Sequence, residues 1–194
     1  MRRKESDFIK NSVFHIYNHS VEGLDLFKDR NDYLYFLTKL KSIFDFSEIE
    51  IYAYCLMPNH FHFCIKQKGD TPIYKVFNRL STSYAMYFNR RYDRSGHLFA
   101  GKLQHIRIEK DQYLITLCQY IHYNPVKAGI IDEISMWEFS NYHEYIGKRK
   151  GDLFSKELMN FYSEMFVNYE SVLKDYGKYE EDKRFNDLLF EESN

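Results

Sequence analysis

The sequence predicts an α+β fold built on a ferredoxin-like split β-α-β antiparallel sheet. The hydrophobic period alternates between that of strands and that of helices, and the elements follow in the order strand, helix, strand, strand, helix, strand. An additional helix comes next and has an apolar face of its own. A sheet with two helices on one face satisfies this order. We therefore expect one domain over residues 1–150 and a helical, acidic C-terminal extension over residues 151–194.

The strands are predicted by runs in which aromatic and β-branched residues alternate with others. They cover residues 12–18, 50–56, 60–66 and about 102–108. The turn sequence Met57-Pro58-Asn59 joins the second and third runs into a hairpin, because proline and asparagine favour tight turns.

Helical spacing of apolar residues predicts a first helix at 31–46 and a second one from Thr71 onward. Thr71 is the expected N-cap of the second helix, with Pro72 in its first turn. Asp111 begins a third helix, which should end near Asn124 because Pro125 disfavours helical geometry at the residue before it. Trp137 and Phe139 should dock back onto the core, and residues 158–173 predict one more amphipathic helix.

Composition excludes several classes of protein. No run approaches the roughly 18 apolar residues of a membrane helix, and the N-terminus is charged rather than apolar. The three cysteines lack a CxxC spacing, so neither a zinc knuckle nor a disulfide framework is expected. No GxxxxGK loop occurs, which argues against a nucleotide cofactor. A cytoplasmic protein with no membrane partner is the expectation.

The net charge of −1 conceals a basic body and an acidic tail. Residues 152–194 hold 11 acidic and 5 basic residues, which leaves 17 acidic and 22 basic residues before them. Basic side chains interleaved with aromatic ones suit phosphate neutralisation and base stacking, so we expect DNA contacts there, although a solvated helix face would look similar. The candidates are Lys75, Arg79, Arg90, Arg91, Arg94, Lys102, Arg107 and Lys110.

The motif His60-Phe61-His62 lies in the third strand, where side chains alternate between the two faces. Both imidazoles therefore point to one face, while Phe61 and Phe63 point to the other, under the two helices. Imidazoles at positions i and i+2 can share one divalent cation with a third ligand from elsewhere. A chance His-x-His pair in a strand is the alternative.

The third helix places Leu117, Tyr120, Ile121 and Asn124 on one stripe. If this helix covers the second face of the sheet, a phenol and a carboxamide come close to the imidazoles. A metal, an oxygen ligand and a hydroxyl nucleophile are the ingredients for attack on a phosphodiester. Tyr120 could equally be an ordinary core residue, and Asn124 an ordinary helix end.

The remaining candidates are weaker. Tyr123 faces differently from Tyr120 and is the rival nucleophile. We do not expect His122 to act as the base, because it lies about 200° round the helix from Tyr120. The other histidines are expected to be surface or hydrogen-bonded core residues rather than ligands: His15, His97, His105, His122 and His143.

Three segments together resemble the single-tyrosine HUH transposases, most closely the branch associated with repetitive extragenic palindromes (REPs). The resemblance covers roughly residues 8–147, and the first strand departs from it where Asn18-His19-Ser20 stand in place of an arginine–glycine pair. The segments are Met57-Pro58-Asn59-His60-Phe61-His62, Gly96-His97-Leu98-Phe99-Ala100-Gly101-Lys102 and Tyr120-Ile121-His122-Tyr123-Asn124-Pro125-Val126-Lys127-Ala128-Gly129.

The resemblance implies a DNA strand transferase that acts on single-stranded or hairpin DNA through a 5′-phosphotyrosine. It implies that Tyr120 is the nucleophile and that His60, His62 and Asn124 hold Mg²⁺ or Mn²⁺. The protein could be a monomer or a homodimer. Two alternatives remain open at this point: a non-catalytic hairpin-binding protein of the same fold, and a metal-dependent phosphodiesterase without a covalent step.

Overall fold

The computed structural model describes residues 8–109, 111–153, 169, 171 and 173. Within them the chain forms four strands and four α-helices, with one 3₁₀ turn at Ile134–Met136. In chain order the elements are β1 (Val13–His19), α1 (Arg30–Ile43), β2 (Ile49–Met57), β3 (His60–Gln67), α2 (Ile73–Arg91), β4 (Gln104–Ile108), α3 (Asp111–Lys127) and α4 (Tyr142–Tyr145).

The four strands form one antiparallel sheet in the order β2-β3-β1-β4. This is the order of a ferredoxin-like split β-α-β unit, and it confirms the predicted fold class. The central strands β1 and β3 pair so that Tyr17 lies opposite His62 and His19 lies opposite His60. Directly paired residues share a face of the sheet, so alternate residues of β1 join the two histidines.

Helices α1 and α2 cover one face of the sheet, as predicted. Phe61, Phe63 and Ile65 of β3 are fully buried there, in a core with Phe36 of α1 and Phe77 of α2. This face, which we call the phenylalanine face, contains ring pairs such as Phe63–Phe77, with centroids 5.2 Å apart. Aromatic packing of this kind holds the central strand β3 against helices α1 and α2.

Helix α3 covers the opposite face, which we call the histidine face. A second buried core joins the sheet to the helix there, through Cys55 and Cys64 of the sheet and Leu117, Cys118 and Ile121 of α3. Strands β2 and β3 are therefore buried on both sides, and Tyr120 of α3 meets His62 of β3 on the histidine face.

The predicted end of the third helix is wrong, because α3 continues through Pro125 to Lys127. Proline lacks an N–H, but this close to the helix end it removes only one hydrogen bond of the ladder. The helix ends in a Schellman motif: the Gly129 N–H donates to the Val126 carbonyl, and the Ile130 N–H donates to the Pro125 carbonyl. Gly129 has φ +66°, the left-handed conformation that ends the helix.

The predicted cap of the second helix is also wrong. Pro72 occupies the N-cap position and makes no side-chain hydrogen bond there. Instead, the Gln67 side chain from the end of β3 accepts a hydrogen bond from the Ile73 N–H, with the two atoms 3.0 Å apart. The last residue of β3 thus supplies the cap that we expected from Thr71.

The segment after α3 returns to the sheet as predicted. The Trp137 indole N–H donates to the Leu56 carbonyl at 3.2 Å, and the Phe139 ring stacks on Tyr33 with centroids 3.7 Å apart. The helix predicted at residues 158–173 lies outside the described residues, except that positions 169, 171 and 173 are helical. No helix in the described part of the chain is long and apolar enough to cross a membrane.

Candidate active site

The two histidines of the motif lie side by side on the histidine face. The turn at Pro58 and Asn59 joins β2 to β3, which begins at His60, so both rings lie near the turn end of the hairpin. Their centroids are 5.0 Å apart, and the ring planes meet at 83°. His62 is buried, whereas His60 is half-buried and remains accessible from outside.

One nitrogen of each ring is already engaged. The Nδ1 of His60 lies 2.7 Å from the Asn59 Oδ1, and the Nδ1 of His62 lies 3.0 Å from the Nε2 of His15. The Nε2 atoms of His60 and His62 have no hydrogen-bond partner among the described residues. Metal-binding histidines commonly use one nitrogen for the metal and the other for a supporting hydrogen bond.

Burial keeps these imidazoles neutral. It lowers the pKa of His60 from 6.5 to about 4, with a smaller contribution from nearby His19. It also lowers the pKa of His62 well below 6.5, and the neighbouring His15 and His60 add to the effect. Because a metal binds the neutral imidazole, the pair is in its ligating form at neutral pH.

Tyr120 comes from α3 and meets the histidine pair. Its ring approaches His62 edge to face, with centroids 5.7 Å apart, and the residue is 6% exposed. The Nζ of Lys127, two turns further along the helix, lies 5.6 Å from the centre of the same ring. The predicted nucleophile and one predicted ligand are therefore neighbours.

Asn124 lies one turn beyond Tyr120 and is buried. Its Nδ2 donates to the Tyr120 carbonyl at 2.9 Å, which leaves the Oδ1 without a hydrogen bond to any described residue. Among the residues that the structure describes, no group of three His, Cys, Asp or Glu side chains is arranged to hold a metal ion. Divalent cations also accept amide oxygens as ligands, so the Asn124 Oδ1 is a chemically suitable third donor.

The other candidates on α3 face elsewhere. His122 is buried on the far side of the helix, between the Tyr169 hydroxyl at 2.8 Å and the Asn141 Oδ1 at 2.9 Å. Tyr123 lines a separate cavity of about 220 Å³ with Val126 and Leu173. Neither ring contributes to the cluster around His62.

The predicted DNA-binding residues differ in their surroundings. Arg91 forms ion pairs of 2.6 Å with both Asp29 and Asp32. Arg94 donates to the Asn89 side chain and the His97 carbonyl, and Arg107 pairs with Glu109. Lys75 lies 5.9 Å from the centre of the Tyr74 ring. Three are exposed and form no ion pair with another described residue, namely Arg79, Arg90 and Lys102. Lys110 lies outside the described residues.

Sequence reasoning missed the contact between His15 and His62. His15 was expected to be a surface or hydrogen-bonded core residue, and the structure confirms the core placement but shows that its partner is His62. The alternation of side chains along β1 could have indicated this contact, because it places His15, Tyr17 and His19 on one face. Only the pairing of β1 with β3 shows that this face is the one that carries His60 and His62.

Comparison with known proteins agrees with this geometry. The model of the family described as IS200-like transposases matches residues 12–124, more than half of the chain. A curated Haemophilus influenzae protein, named as a REP-associated tyrosine transposase, is 28% identical in an alignment of 105 positions that covers 48% of this chain and 59% of that protein. The chain thus spans about three fifths of the length of that relative.

A solved structure has the same fold. It shows a REP-associated tyrosine transposase bound to a REP hairpin, with a TM-score of 0.62 and 18% sequence identity. The match covers 80% of this chain and 93% of the solved one. At this identity the likeness establishes the fold alone. The family match, with the sheet and helix order, shows that this chain belongs to the IS200-like transposase family.

Proposed function

We propose that this chain cleaves and rejoins single-stranded DNA at hairpin-associated sites, as a metal-dependent transposase with a tyrosine nucleophile. The observation that carries the proposal is the edge-to-face contact between Tyr120 and His62, with ring centroids 5.7 Å apart. This contact brings the phenol of Tyr120 next to a pair of imidazoles that are neutral and can therefore bind a metal. Family membership supports transposase chemistry, and the hairpin bound to the structural relative supports the choice of DNA.

Tyr120 supplies the nucleophile. Its hydroxyl oxygen attacks the scissile phosphorus and loses its proton, and the bond from phosphorus to the 3′ oxygen breaks. The departing strand takes up a proton as a 3′-hydroxyl, and the other strand remains as a 5′-phosphotyrosine. The Lys127 ammonium near the ring favours the negative charge that the phenol oxygen develops.

The covalent intermediate conserves the energy of the phosphodiester bond. A 3′-hydroxyl from a second strand can attack the phosphotyrosine, reform a phosphodiester and release Tyr120 with its proton. No ATP is consumed, in keeping with the lack of a GxxxxGK sequence in this chain.

His60, His62 and Asn124 would hold Mg²⁺ or Mn²⁺. The donor set fits a divalent cation, because both Nε2 atoms and the Asn124 Oδ1 have no hydrogen bond to a described residue, and both imidazoles are neutral. Two nitrogens and one oxygen leave room for water and a phosphate oxygen. The ion would supply charge neutralisation at the scissile phosphate.

The DNA would approach along the exposed end of β1 and β3. The Ala100 N–H donates to the His19 carbonyl at 3.0 Å, which holds the loop of Lys102 against that end of the sheet. Lys102 is exposed there and can contact phosphates close to His60. Arg79 and Arg90 are exposed on α2, where contacts to the DNA backbone would position a folded hairpin.

A covalent-adduct assay tests this function. A labelled hairpin oligonucleotide with a single-stranded flank is incubated with the protein and Mn²⁺, then run on a denaturing gel. We expect a shifted DNA–protein band that EDTA abolishes, that Tyr123→Phe retains and that Tyr120→Phe lacks. Hairpin binding with no cleavage would indicate a non-catalytic binding protein, and cleavage with no adduct would indicate a phosphodiesterase. Either result contradicts the proposal.

A further inference from the structure

Strand β1 contributes a third buried histidine to the histidine face. His15 is 3% exposed, and its Nε2 lies 3.0 Å from the Nδ1 of His62. The two rings are nearly parallel, with 21° between their planes and 5.1 Å between their centroids. The contact is a hydrogen bond between two side chains on adjacent strands, 47 positions apart in sequence.

The ring of His15 has no other polar partner among the described residues. Its Nδ1 is buried and makes no hydrogen bond within that part of the structure. Its remaining ring contacts are with Tyr17, which stacks on it at 4.9 Å, and with Tyr120, whose ring meets it edge to face at 6.2 Å. These aromatic contacts fix the ring, and the fixed ring presents one nitrogen to His62.

A neutral imidazole carries its proton on one nitrogen and a lone pair on the other. If the His62 Nδ1–H donates to His15, the lone pair of His62 lies on Nε2, where a metal can bind. If His15 donates instead, the Nε2 of His62 carries the proton and cannot bind a metal. The direction of one hydrogen bond therefore decides whether His62 can act as a ligand.

We infer that His15 is a positioning residue for the metal site: it accepts the hydrogen bond from the His62 Nδ1–H and so keeps the Nε2 lone pair available for a divalent cation. The inference rests on the proposed function, because it assumes that His62 is a ligand. His15 is not itself a ligand in this arrangement, because its Nε2 lone pair accepts the hydrogen bond from His62 and its Nδ1 therefore carries the proton.

His60, the other proposed ligand histidine, also has a hydrogen-bond partner for its Nδ1. The Nδ1 of His60 lies 2.7 Å from the Asn59 Oδ1, and an amide oxygen only accepts hydrogen bonds. His60 must therefore donate from Nδ1, which leaves its Nε2 lone pair free. His15 gives His62 the same arrangement from a different strand, so both imidazoles are held in the tautomer that suits a metal.

Mn²⁺ binding without DNA tests the inference, with free Mn²⁺ followed by electron paramagnetic resonance. His15→Gln keeps an acceptor near the position of Nε2, whereas His15→Met fills similar space without one. We expect His15→Met to weaken Mn²⁺ binding 10–100-fold, the usual effect of losing such a partner, and His15→Gln to stay close to wild type. His105→Gln is the control, since His105 pairs with Ile16 on the phenylalanine face.

Unchanged Mn²⁺ affinity in folded His15→Met would overturn the inference, and so would equal losses in the Met and Gln variants. If His15→Met does not fold, ¹⁵N spectra of the imidazoles in the unmodified, metal-free protein give the answer. A proton on the Nδ1 of His62 supports the inference, and a proton on its Nε2 overturns it. A wild-type protein whose Mn²⁺ binding is absent, or survives His62→Ala, contradicts the proposed metal site itself and the inference with it.

Discussion

The two faces of strand β3 are filled by residues of opposite chemistry. On the phenylalanine face, Phe61, Phe63 and Ile65 are completely buried against apolar side chains of α1 and α2. On the histidine face, His60 and His62 alternate with them along the same strand and carry ring nitrogens that no described residue satisfies. The phenylalanine face is filled by apolar packing, whereas the histidine face keeps ring nitrogens that are available to a ligand.

The difference teaches how a buried polar site is held in place. Apolar packing on one face contributes the stability that fixes the strand, since each fully buried aromatic side chain contributes a few kcal/mol. Buried imidazoles on the other face cost stability unless they are partnered, and His15 and Asn59 supply partners for one nitrogen of each ring. Substitutions on the two faces should therefore have separable effects.

The largest effect is expected from the two histidines that we propose as metal ligands. His60→Ala or His62→Ala should reduce metal-dependent cleavage at least about a hundredfold, since loss of even a supporting group at a metal site costs 10–100-fold. Hairpin binding should largely survive, as measured by a filter-binding assay beside the cleavage assay. Cys64→Ala, on the same face of the same strand, should cut DNA normally.

If either histidine variant cuts DNA at a near-normal rate, the metal assignment is wrong. If both variants unfold, the imidazoles serve the core rather than a ligand, and the two faces do not differ in the way that we describe.

The second prediction concerns the stability of the phenylalanine face rather than DNA cleavage. Phe63→Ala removes a fully buried ring from the phenylalanine face and should lower the free energy of unfolding by about 3–5 kcal/mol, from lost burial and the cavity left behind. Urea unfolding measures the change, with Phe46→Ala as a control because Phe46 is 38% exposed. A small decrease in the free energy of unfolding of Phe63→Ala would mean that packing against α1 and α2 does not stabilise β3.

Acid should lower the free energy of unfolding of the metal-free protein, because several of its histidines are buried in the neutral form. Burial lowers the pKa of His15 from 6.5 to about 3 and that of His122 to about 4. The unfolded chain therefore binds protons below pH 6.5 that the folded protein does not. The free energy of unfolding should fall between pH 6.5 and about 4, by roughly 1 kcal/mol per pH unit for each such histidine.

Chemical denaturation at pH 7.5 and at pH 5, without metal, measures this dependence. His122→Gln should reduce it, whereas the same change at exposed His97 should not. Equal stability of the wild-type protein at both pH values would contradict the burial of neutral imidazoles.

The smallest effect concerns two adjacent arginines of α2. Arg91 is held by Asp29 and Asp32, whereas exposed Arg90 forms no ion pair with a described residue. Arg90→Gln should reduce the slope of log affinity for DNA against log salt by about one, because one phosphate contact is lost. Arg91→Gln should instead lower the unfolding temperature and leave that slope unchanged. The reverse pattern would show that Arg91 is the residue that contacts DNA.

Local patterns in the sequence predicted the sheet, its helices and the two faces of β3. The alternation around His60-Phe61-His62 and the stripe of α3 each depend on residues close together in the chain, so period alone locates them. The structure places Tyr120 beside His62, as that stripe requires if α3 covers the sheet. Roles for these residues remain predictions until they are measured.

Features that depend on contacts between different helices and strands could not be predicted in this way. The cap of α2 comes from Gln67 of the preceding strand, and the partner of His62 comes from β1. The extent of α3 was misjudged because Pro125 is a weaker stop signal near a helix end than the Ala128-Gly129 pair that follows it. The ion pairs of Arg91 likewise require the approach of α1, which composition does not reveal.

The central claim is that Tyr120 forms the covalent bond to DNA, and mass mapping of the trapped adduct tests it most directly. The wild-type protein is reacted with a hairpin substrate and Mn²⁺, digested with nuclease and protease, and the peptide that carries the nucleotide is sequenced by tandem mass spectrometry. We predict a 5′-phosphorylated nucleotide on Tyr120 and none on Tyr123. An adduct on Tyr123, or cleavage that persists in Tyr120→Phe, would contradict the mechanism and leave the fold standing alone.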